Sequence, residues 1–334
     1  MLQNRLCEQL GITVPIWQAP IGGVSNPQLA AAVSNGGGLG MIALTWRSVE
    51  STLRILRETQ ALTEKPFAVN YVLNWDVADQ VAACLKANVK LFSFFWGDPS
   101  AHVKRIHDAG GTVIHTVGSS REAIQSVENG VDIVVAQGWE AGGHVRGEVS
   151  TLALVPAVID AVAPIPVVAA GGIADGRTIA AALALGAAGV MIGTRFVVCD
   201  EANSHSVYRQ EIIEATEAGT VYTSLFDIGW KNAPHRTLRN STYENWRQAG
   251  CPPSGHRPGE HEIVSRVRGG REIRRYDSDA PTANIEGRPE EQALYAGQGV
   301  GLIRDCKSAA ETLACLVGET EQAILRLQRY LSQT

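Results

Sequence analysis

The sequence predicts an α/β fold, namely a (β/α)8 TIM barrel with a long polar insertion after the eighth strand. Eight short apolar runs alternate with helical patterns in the first two hundred residues. Runs without polar interruptions are typical of parallel strands that are buried on both faces of a sheet. The runs cover residues 15–19, 39–44, 67–72, 90–95, 112–115, 133–136, 166–170 and 189–192. Eight strand–helix units favour a closed barrel, and an open doubly wound sheet is the alternative.

Helices are predicted between the apolar runs, where the segments are Ala-rich or amphipathic. Four of these segments cover residues 27–35, 49–59, 77–87 and 121–129. Helical crossovers bring the carboxyl ends of all the parallel strands to one face of a barrel, and active sites assemble at that face. Polar or glycine-rich segments that directly follow a predicted strand are therefore the candidate site.

The alternation of strands and helices stops after Gly193. Residues 201–298 are polar, contain few β-like runs and include a Pro/Gly cluster at residues 251–255. A helical pattern returns from Leu302 onward. We therefore expect a barrel over residues 1–200, an inserted substrate or lid domain over residues 201–298, and a helix over residues 299–334 that returns to the barrel.

Composition excludes several classes of protein. The chain has 334 residues, of which 45% are hydrophobic and 19% are charged, so it can bury a large core. Its net charge of −5 argues against a general nucleic-acid binder. The longest apolar stretch, residues 179–193, is shorter than the ~18 residues that suggest a bilayer span. Six scattered cysteines without a C-x-x-C pair, and the absence of a signal-peptide pattern, predict a cytoplasmic protein with free thiols and no zinc site.

Two glycine turns follow the seventh and eighth predicted strands. The first contains Gly171 and Gly172 within residues 171–177, and the second contains Gly193 and Thr194 within residues 193–196. Glycines allow backbone N–H groups to approach an anion closely, and barrel phosphate sites commonly form after these two strands. We predict a phosphate site there, whereas two ordinary turns are the alternative. Neither a Rossmann fingerprint nor a P-loop is present.

A glycine-rich loop after the sixth predicted strand, residues 136–144, ends in His144. A histidine at a barrel mouth can transfer protons near neutral pH, which makes His144 the candidate catalytic base. Six other histidines lie on predicted helices or in the polar insertion and are not expected to act. They are His102, His107, His205, His235, His256 and His261.

Three further polar side chains occur where the chain meets the predicted barrel mouth. Gln18 and Asn70 end the first and third predicted strands, where an amide either caps a turn or faces a ligand. Tyr295 lies in residues 295–299, where the chain rejoins the barrel, and is interpreted either as a lid residue or as a packed aromatic.

These segments together resemble the nitronate monooxygenase family, formerly called 2-nitropropane dioxygenases. The resemblance rests on residues 18–20, 66–70, 137–144, 170–173 and 193–196, and again on residues 295–299. It implies an FMN-containing barrel with a second, largely helical domain over its mouth. It also implies oxidation of alkyl nitronates by O₂, with His144 as the base toward neutral nitroalkanes. Ile21, where many members have methionine, and residues 115–118 depart from the family pattern.

The resemblance also implies a set of cofactor-binding residues. Asn70, Gln137, Gly142 and Gly143 are expected beside the flavin ring and ribityl chain, and Gly171, Gly172, Gly193 and Thr194 at the phosphate. The predicted cofactor set is completed by Gln18, Ala19, Pro20, Met191 and Tyr295. No metal, nucleic acid or membrane is expected as a partner, and a homodimer is compatible with the sequence.

Two other functions share these residues. Flavin-dependent enoyl-ACP reductases and quinone reductases, which use NAD(P)H, have the same barrel and Gly-Gly-His loop. An FMN-binding sensor or scaffold is the non-enzymatic alternative. His144 argues against the scaffold, because binding alone needs no base there. Gln137 and residues 140–144, taken together with residues 295–299, resemble the oxygen-using branch more closely. The basic stretch 231–275 is interpreted as an arginine-rich surface or, alternatively, as a source of Arg236 or Arg239 for an anionic substrate.

Overall fold

The computed structural model describes residues 2–331 and contains the predicted closed barrel. Its eight parallel strands pair in the order β1-β9-β8-β6-β5-β4-β3-β2. They are β1 (Ile16–Gln18), β2 (Gly40–Ala43), β3 (Phe67–Val72), β4 (Leu91–Phe95), β5 (Thr112–Val117), β6 (Ile133–Gln137), β8 (Val167–Ala170) and β9 (Gly189–Ile192). A parallel bridge between Trp17 and Leu39 closes the ring, and the Gln18 amide donates to the Leu39 carbonyl at 2.9 Å. The open-sheet alternative is therefore wrong.

The barrel strands read as continuous apolar runs because both of their faces are buried. Along β6, Ile133 and Val135 point into the barrel interior, where they pack with Trp17 and Met191. Val134, between them in sequence, belongs to the layer between the strands and the surrounding helices. Successive side chains therefore alternate between two faces, as in any strand, but neither face is polar.

Helices surround the barrel, and polar side chains define where many of them begin. Those of Asn26, Ser48, Ser119, Asp175 and Asn240 each accept a hydrogen bond from a backbone N–H of the first turn. The helices are α1 (Arg5–Leu10), α2 (Pro27–Asn35), α3 (Val49–Leu62), α4 (Ala78–Lys86), α5 (Ser100–Asp108), α6 (Ser120–Glu128), α7 (Thr151–Val162), α8 (Gly176–Ala184), α9 (Thr194–Val197), α10 (Ser206–Glu214), α11 (Ser241–Gln248) and α12 (Ala309–Leu331). The last of these packs on α8 and α2. It begins ten residues after the start of the predicted helix 299–334, and residues 332–334 of that prediction lie outside the described part of the chain.

The insertion is a mixture of strands and helices, so the expectation of a largely helical domain is wrong. Between α10 and α12 it contains α11 and the strands β10 (Thr220–Thr223), β11 (His235–Leu238), β12 (Ile263–Val267), β13 (Glu272–Arg274) and β14 (Ile285–Gly287). These strands are short and rich in polar residues, so they lack the apolar runs by which the barrel strands were predicted. β11 pairs on one side with β10 and on the other with β7 (Gly143–His144), which joins the insertion to the His144 loop.

The structure also shows the state of the cysteines, the arrangement of potential metal ligands and the length of the apolar helices. All six cysteines are free. Within residues 2–331, no group of histidine, cysteine and acidic side chains is arranged to hold a metal ion. None of the helices described for the chain is long and apolar enough to cross a membrane.

Candidate active site

A cavity of about 870 Å³ lies at the carboxyl ends of the barrel strands, beneath the insertion. Its walls include nearly every residue that the sequence analysis assigned to the site. These are Ala19, Pro20, Asn70, Gln137, Gly142, Gly143, His144, Gly171, Gly172, Met191, Gly193, Thr194 and Tyr295. The structure thus brings together side chains and turns from five barrel strands and from the segment that rejoins the barrel.

Gln18 is the exception, because its side chain lies in the barrel wall and does not line the cavity. It is fully buried. Its Oε1 accepts from the Met41 amide at 3.0 Å, and its Nε2 donates to Ser25 Oγ at 3.0 Å. A buried amide must use both its donor and its acceptor, and here the neighbouring strand and loop satisfy them.

His144 is positioned by pairing between the barrel loop and the insertion. In the β7–β11 pair, His144 lies opposite His235, and Gly143 lies opposite Arg236. Gly143 has a φ of +74°, and a Cβ at this position would meet no atom within 4 Å. Gln137 Nε2 donates to the backbone carbonyl of His144 at 3.1 Å, which fastens the loop to the end of β6.

The imidazole of His144 is enclosed by aromatic rings. The Trp230 ring stacks on it at a centroid distance of 3.9 Å, and the Tyr295 and His235 rings each lie 5.4 Å away. Nε2 is buried without a hydrogen-bond partner among the described residues. Burial, and secondarily the proximity of His235, hold the pKa of His144 well below its ordinary value of 6.5. The ring is therefore a neutral base at pH 7.

His235 belongs to the site, although its position in a polar segment led the sequence analysis to set it aside. It is fully buried. Its Nε2 accepts from the Phe226 amide at 3.3 Å, which leaves Nδ1–H to donate to the Ala233 carbonyl at 2.9 Å. Burial lowers the pKa of His235 to about 4, so it adds no positive charge beside His144 near neutral pH. Its sequence offered one signal, the alternation in His-Arg-Thr-Leu, which is too short to predict a buried strand.

The two glycines after β8 form an open backbone turn. Gly171 and Gly172 have φ values of +107° and +71°, and their N–H groups donate no hydrogen bond to a described residue. The turn is supported from below by Thr151, whose Oγ1 donates to the Gly171 carbonyl at 2.9 Å. The Thr151 amide in turn donates to Glu140 at 2.8 Å. Free N–H groups on a fixed turn are what an anion such as a phosphate requires.

The segment that rejoins the barrel is packed directly against the glycine loop. A Cβ on Gly142 would lie 2.4 Å from the backbone nitrogen of Gly297, so only glycine allows this approach. The Gly297 amide donates to Thr194 Oγ1 at 3.0 Å. Tyr295, in the same segment as Gly297, donates from its hydroxyl to the Ser278 carbonyl at 2.8 Å. Its ring therefore forms a wall of the cavity while its hydroxyl is engaged elsewhere.

Two amides provide polar atoms in the cavity. Asn70 is held by Ser93, because its Nδ2 donates to Ser93 Oγ at 3.1 Å. Gln137 Oε1 is buried and has no donor among the described residues. A buried unpaired oxygen costs about 1–3 kcal/mol, which a ligand N–H would recover.

The proposal that Arg236 or Arg239 faces the cavity is not supported by the structure. Arg236 is buried against Trp139, with its guanidinium 4.3 Å from the ring centroid and Nη2 donating to the Trp139 carbonyl at 2.9 Å. Arg239 is exposed and does not line the cavity. The arginines in the cavity wall are instead Arg47 and Arg271. The register of β11 turns Arg236 inward, and the sequence analysis had not predicted a strand there.

Trp46 and Trp230 also line the cavity, and the sequence analysis missed both. Trp46 follows β2, where it continues an apolar run, and Trp230 lies in the insertion. Each was indistinguishable in sequence from a residue that packs in a core.

Comparison with known proteins agrees with this geometry. The family model described as nitronate monooxygenase matches residues 3–80 and 72–319. Nitronate monooxygenase of Pseudomonas aeruginosa is 34% identical over 95% of this chain and 99% of its own. The (3aS,4S,5R,7aS)-5-hydroxy-7a-methyl-1-oxo-octahydro-1H-indene-4-carboxyl-CoA dehydrogenase of Mycobacterium tuberculosis is 32% identical over 95% of both chains. The structure is similar to that of FabK from Thermotoga maritima, with a TM-score of 0.82 and 33% identity over 99% of this chain and 100% of that one. The chain therefore belongs to the nitronate monooxygenase family.

Proposed function

We propose that the protein is an FMN-dependent enzyme that oxidises alkyl nitronates, and neutral nitroalkanes, with O₂ to a carbonyl compound and nitrite. The observation that carries the proposal is the position of His144 at a glycine-lined cavity, with a buried Nε2 that has no hydrogen-bond partner among the described residues. Family membership supports the same reaction class.

The residues of the cavity fit FMN. The unused N–H groups of Gly171 and Gly172 would bind its phosphate, with Gly193 and Thr194 closing the other side of that subsite. The unpaired Oε1 of Gln137 would accept from a ring N–H group. When bound, FMN would accept electrons from the substrate and deliver them to O₂.

His144 would act on the substrate as a general base. In a neutral nitroalkane, the α-carbon holds the proton that must leave before a nitronate exists. A neutral imidazole can accept that proton, and the depressed pKa keeps His144 neutral at pH 7. A substrate supplied as the nitronate has already lost the proton, so it does not require this step.

An NAD(P)H-dependent flavin reductase is the second candidate. It is favoured by the likeness to FabK and by Arg47 and Arg271 in the cavity wall, where guanidinium groups could bind the phosphates of a nucleotide. His144 and the glycine turns are compatible with this reaction as well. The candidates therefore differ in the reductant, which is the substrate itself in one and a nicotinamide in the other.

The experiment that tests the proposal measures O₂ uptake and nitrite release when FMN-loaded protein is mixed with 2-propyl nitronate. We expect both to occur without NADH or NADPH. NADH or NADPH oxidation by a protein that releases nitrite from no nitronate would contradict the proposal and favour the reductase.

The proposed reaction requires two partners, namely a small nitronate or nitroalkane and O₂. Six free cysteines are typical of a reducing compartment, so we place the enzyme in the cytoplasm.

A further inference from the structure

One side of the cavity is built from tryptophans that come from four separate parts of the chain. Trp46 follows β2, Trp75 follows β3, Trp96 follows β4, and Trp230 belongs to the insertion. The Trp230 ring is the centre of this cluster, with the other three ring centroids 5.0 to 6.1 Å away in edge-to-face contacts. We call the cluster, together with Phe95, the aromatic wall.

Some side chains of the aromatic wall line the cavity, and others pack behind them. Trp46, Trp230 and Phe95 line the cavity, whereas Trp75 and Trp96 pack behind them. The Trp46 side chain is 55% exposed even though it contacts Trp75 and Trp230. A large ring that stays exposed at a cavity wall is apolar surface that a ligand can cover.

The wall contacts the face of the proposed catalytic base. Trp230 stacks on the His144 imidazole, at an angle of 27° between the rings. Ring nitrogens accept protons in the plane of the ring, so the stacked Trp230 orients the imidazole and does not itself cover that plane. A substrate whose α-carbon reaches His144 would consequently place its substituents near the wall.

We propose that the aromatic wall selects nitronates and nitroalkanes that carry an aryl or similarly bulky apolar substituent, in preference to short-chain ones. This inference rests on the proposed function, and Trp46 is the residue that determines the specificity. Contact with the indole would bury apolar area on both partners, and roughly 100 Å² of such area corresponds to a preference of ten-fold or more. A two-carbon or three-carbon nitronate has little apolar area to bury against the Trp46 indole, so it gains little from this contact.

The charges around the wall argue against a cationic ligand, although aromatic clusters also bind cations. Arg146 already lies over the Trp96 ring, 5.9 Å from its centroid. Arg47, adjacent to Trp46 in sequence, adds a positive charge to the cavity wall. The acidic Asp277 and Asp279, also in that wall, are both paired with Arg271, at 3.6 and 2.8 Å. An anionic head group with an apolar substituent fits this arrangement better than an ammonium ion.

The kinetic test compares 1-phenyl-2-propyl nitronate with 2-propyl nitronate in the FMN-loaded enzyme. The methylene group insulates the nitronate from the phenyl ring, so the two substrates have similar intrinsic reactivity. We expect kcat/KM to be at least ten-fold higher for the phenyl compound. In W46A the ratio should fall to about three or less, whereas W46F should retain most of it. The control is L62A, which removes an exposed apolar side chain on α3, away from the cavity.

A binding test separates this inference from the proposed function. Phenylacetate, acetate and benzyltrimethylammonium are unreactive probes whose Kd values can be measured calorimetrically on the same holoenzyme. We expect phenylacetate to bind at least ten-fold more tightly than acetate, and W46A to abolish that difference. If no nitronate is oxidised but this pattern holds, the proposed function fails and the aromatic subsite stands.

Three results would overturn the inference. The first is equal kcat/KM for the two nitronates together with equal Kd for the two carboxylates in the unmodified protein. The second is a phenyl preference that W46A leaves intact. The third is tighter binding of benzyltrimethylammonium than of phenylacetate, which would assign the wall to a cation.

Discussion

The two ends of the cavity are built in different ways. The proposed phosphate end consists of backbone, namely the turns at Gly171, Gly172 and Gly193 that follow the barrel strands β8 and β9. The aromatic wall consists of side chains from three barrel loops and the insertion. The first end depends on local conformation, so Gly171 and Gly172, whose φ values are positive, can tolerate little change. The second depends on surface shape and can vary without loss of the fold, which suits a part that determines substrate choice.

The largest effect is expected at the backbone end. G172L places a side chain on a residue whose φ is +71°, with the new Cβ 3.3 Å from Glu140 Cβ. The side chain would intrude on the phosphate subsite, so FMN affinity should fall by on the order of several kcal/mol, and all activity with it. FMN titration followed by flavin fluorescence measures this. G110L is the matched control, since Gly110 has a φ of +68° and open space around it, far from the cavity. Equal FMN affinity in G172L and G110L would contradict the assignment.

The next effect concerns His144, the proposed base between the two ends. H144N should lower kcat/KM for a neutral nitroalkane by roughly 10²–10⁴-fold, the range of general-base catalysis, and should affect the pre-formed nitronate much less. Steady-state O₂ uptake with both substrates measures the difference. H256N, in the exposed part of the insertion, provides a control that should match the unmodified protein. Equal losses on the two substrates would indicate a binding role for His144, and full nitroalkane activity would exclude it as the base.

The pH dependence sharpens the same assignment. Because burial depresses the pKa of His144, the basic form persists as the pH falls through 6.5. kcat/KM for a neutral nitroalkane should therefore stay level from pH 8 to 6.5 and decrease only at lower pH. The nitronate, corrected for its own protonation, should lack this decrease. An acidic limb centred above pH 6.5 would mean that His144 is not buried as described.

The smallest effect is expected for the arginine-rich stretch. R239A removes an exposed charge that does not line the cavity, so KM for the anionic 3-nitropropionate nitronate should change by less than about two-fold. R271A is the comparison, because Arg271 lies in the cavity wall. A larger KM change in R239A than in R271A would indicate that the exposed stretch contributes to substrate binding.

Sequence alone predicted the barrel and its backbone turns because both follow from local patterns. β6 is apolar at every position before Gln137, and glycines that follow such strands indicate the mouth of the barrel. The catalytic candidate His144 was predicted for the same reason, since it shares its loop with Gly142 and Gly143.

The insertion and the aromatic wall depended on long-range contacts, which the sequence did not show. β11 is fully buried although it reads His-Arg-Thr-Leu, because Trp139 receives the guanidinium of Arg236 and backbone groups satisfy His235. Trp46 and Trp230 are far apart in sequence, and only the fold places them on one surface. Gln18 is the reverse case. It was expected to face the cavity, but its side chain hydrogen-bonds within the barrel wall.

The central claim, that a nitronate rather than a nicotinamide reduces the flavin, can be tested by anaerobic mixing. Purified FMN-loaded protein is combined without O₂ with 2-propyl nitronate, and separately with NADH and NADPH, while the oxidised flavin band is followed. The account predicts that the band bleaches with the nitronate, changes slowly or not at all with either nucleotide, and returns when O₂ is admitted. Rapid bleaching by NADH or NADPH with no response to any nitronate would contradict it.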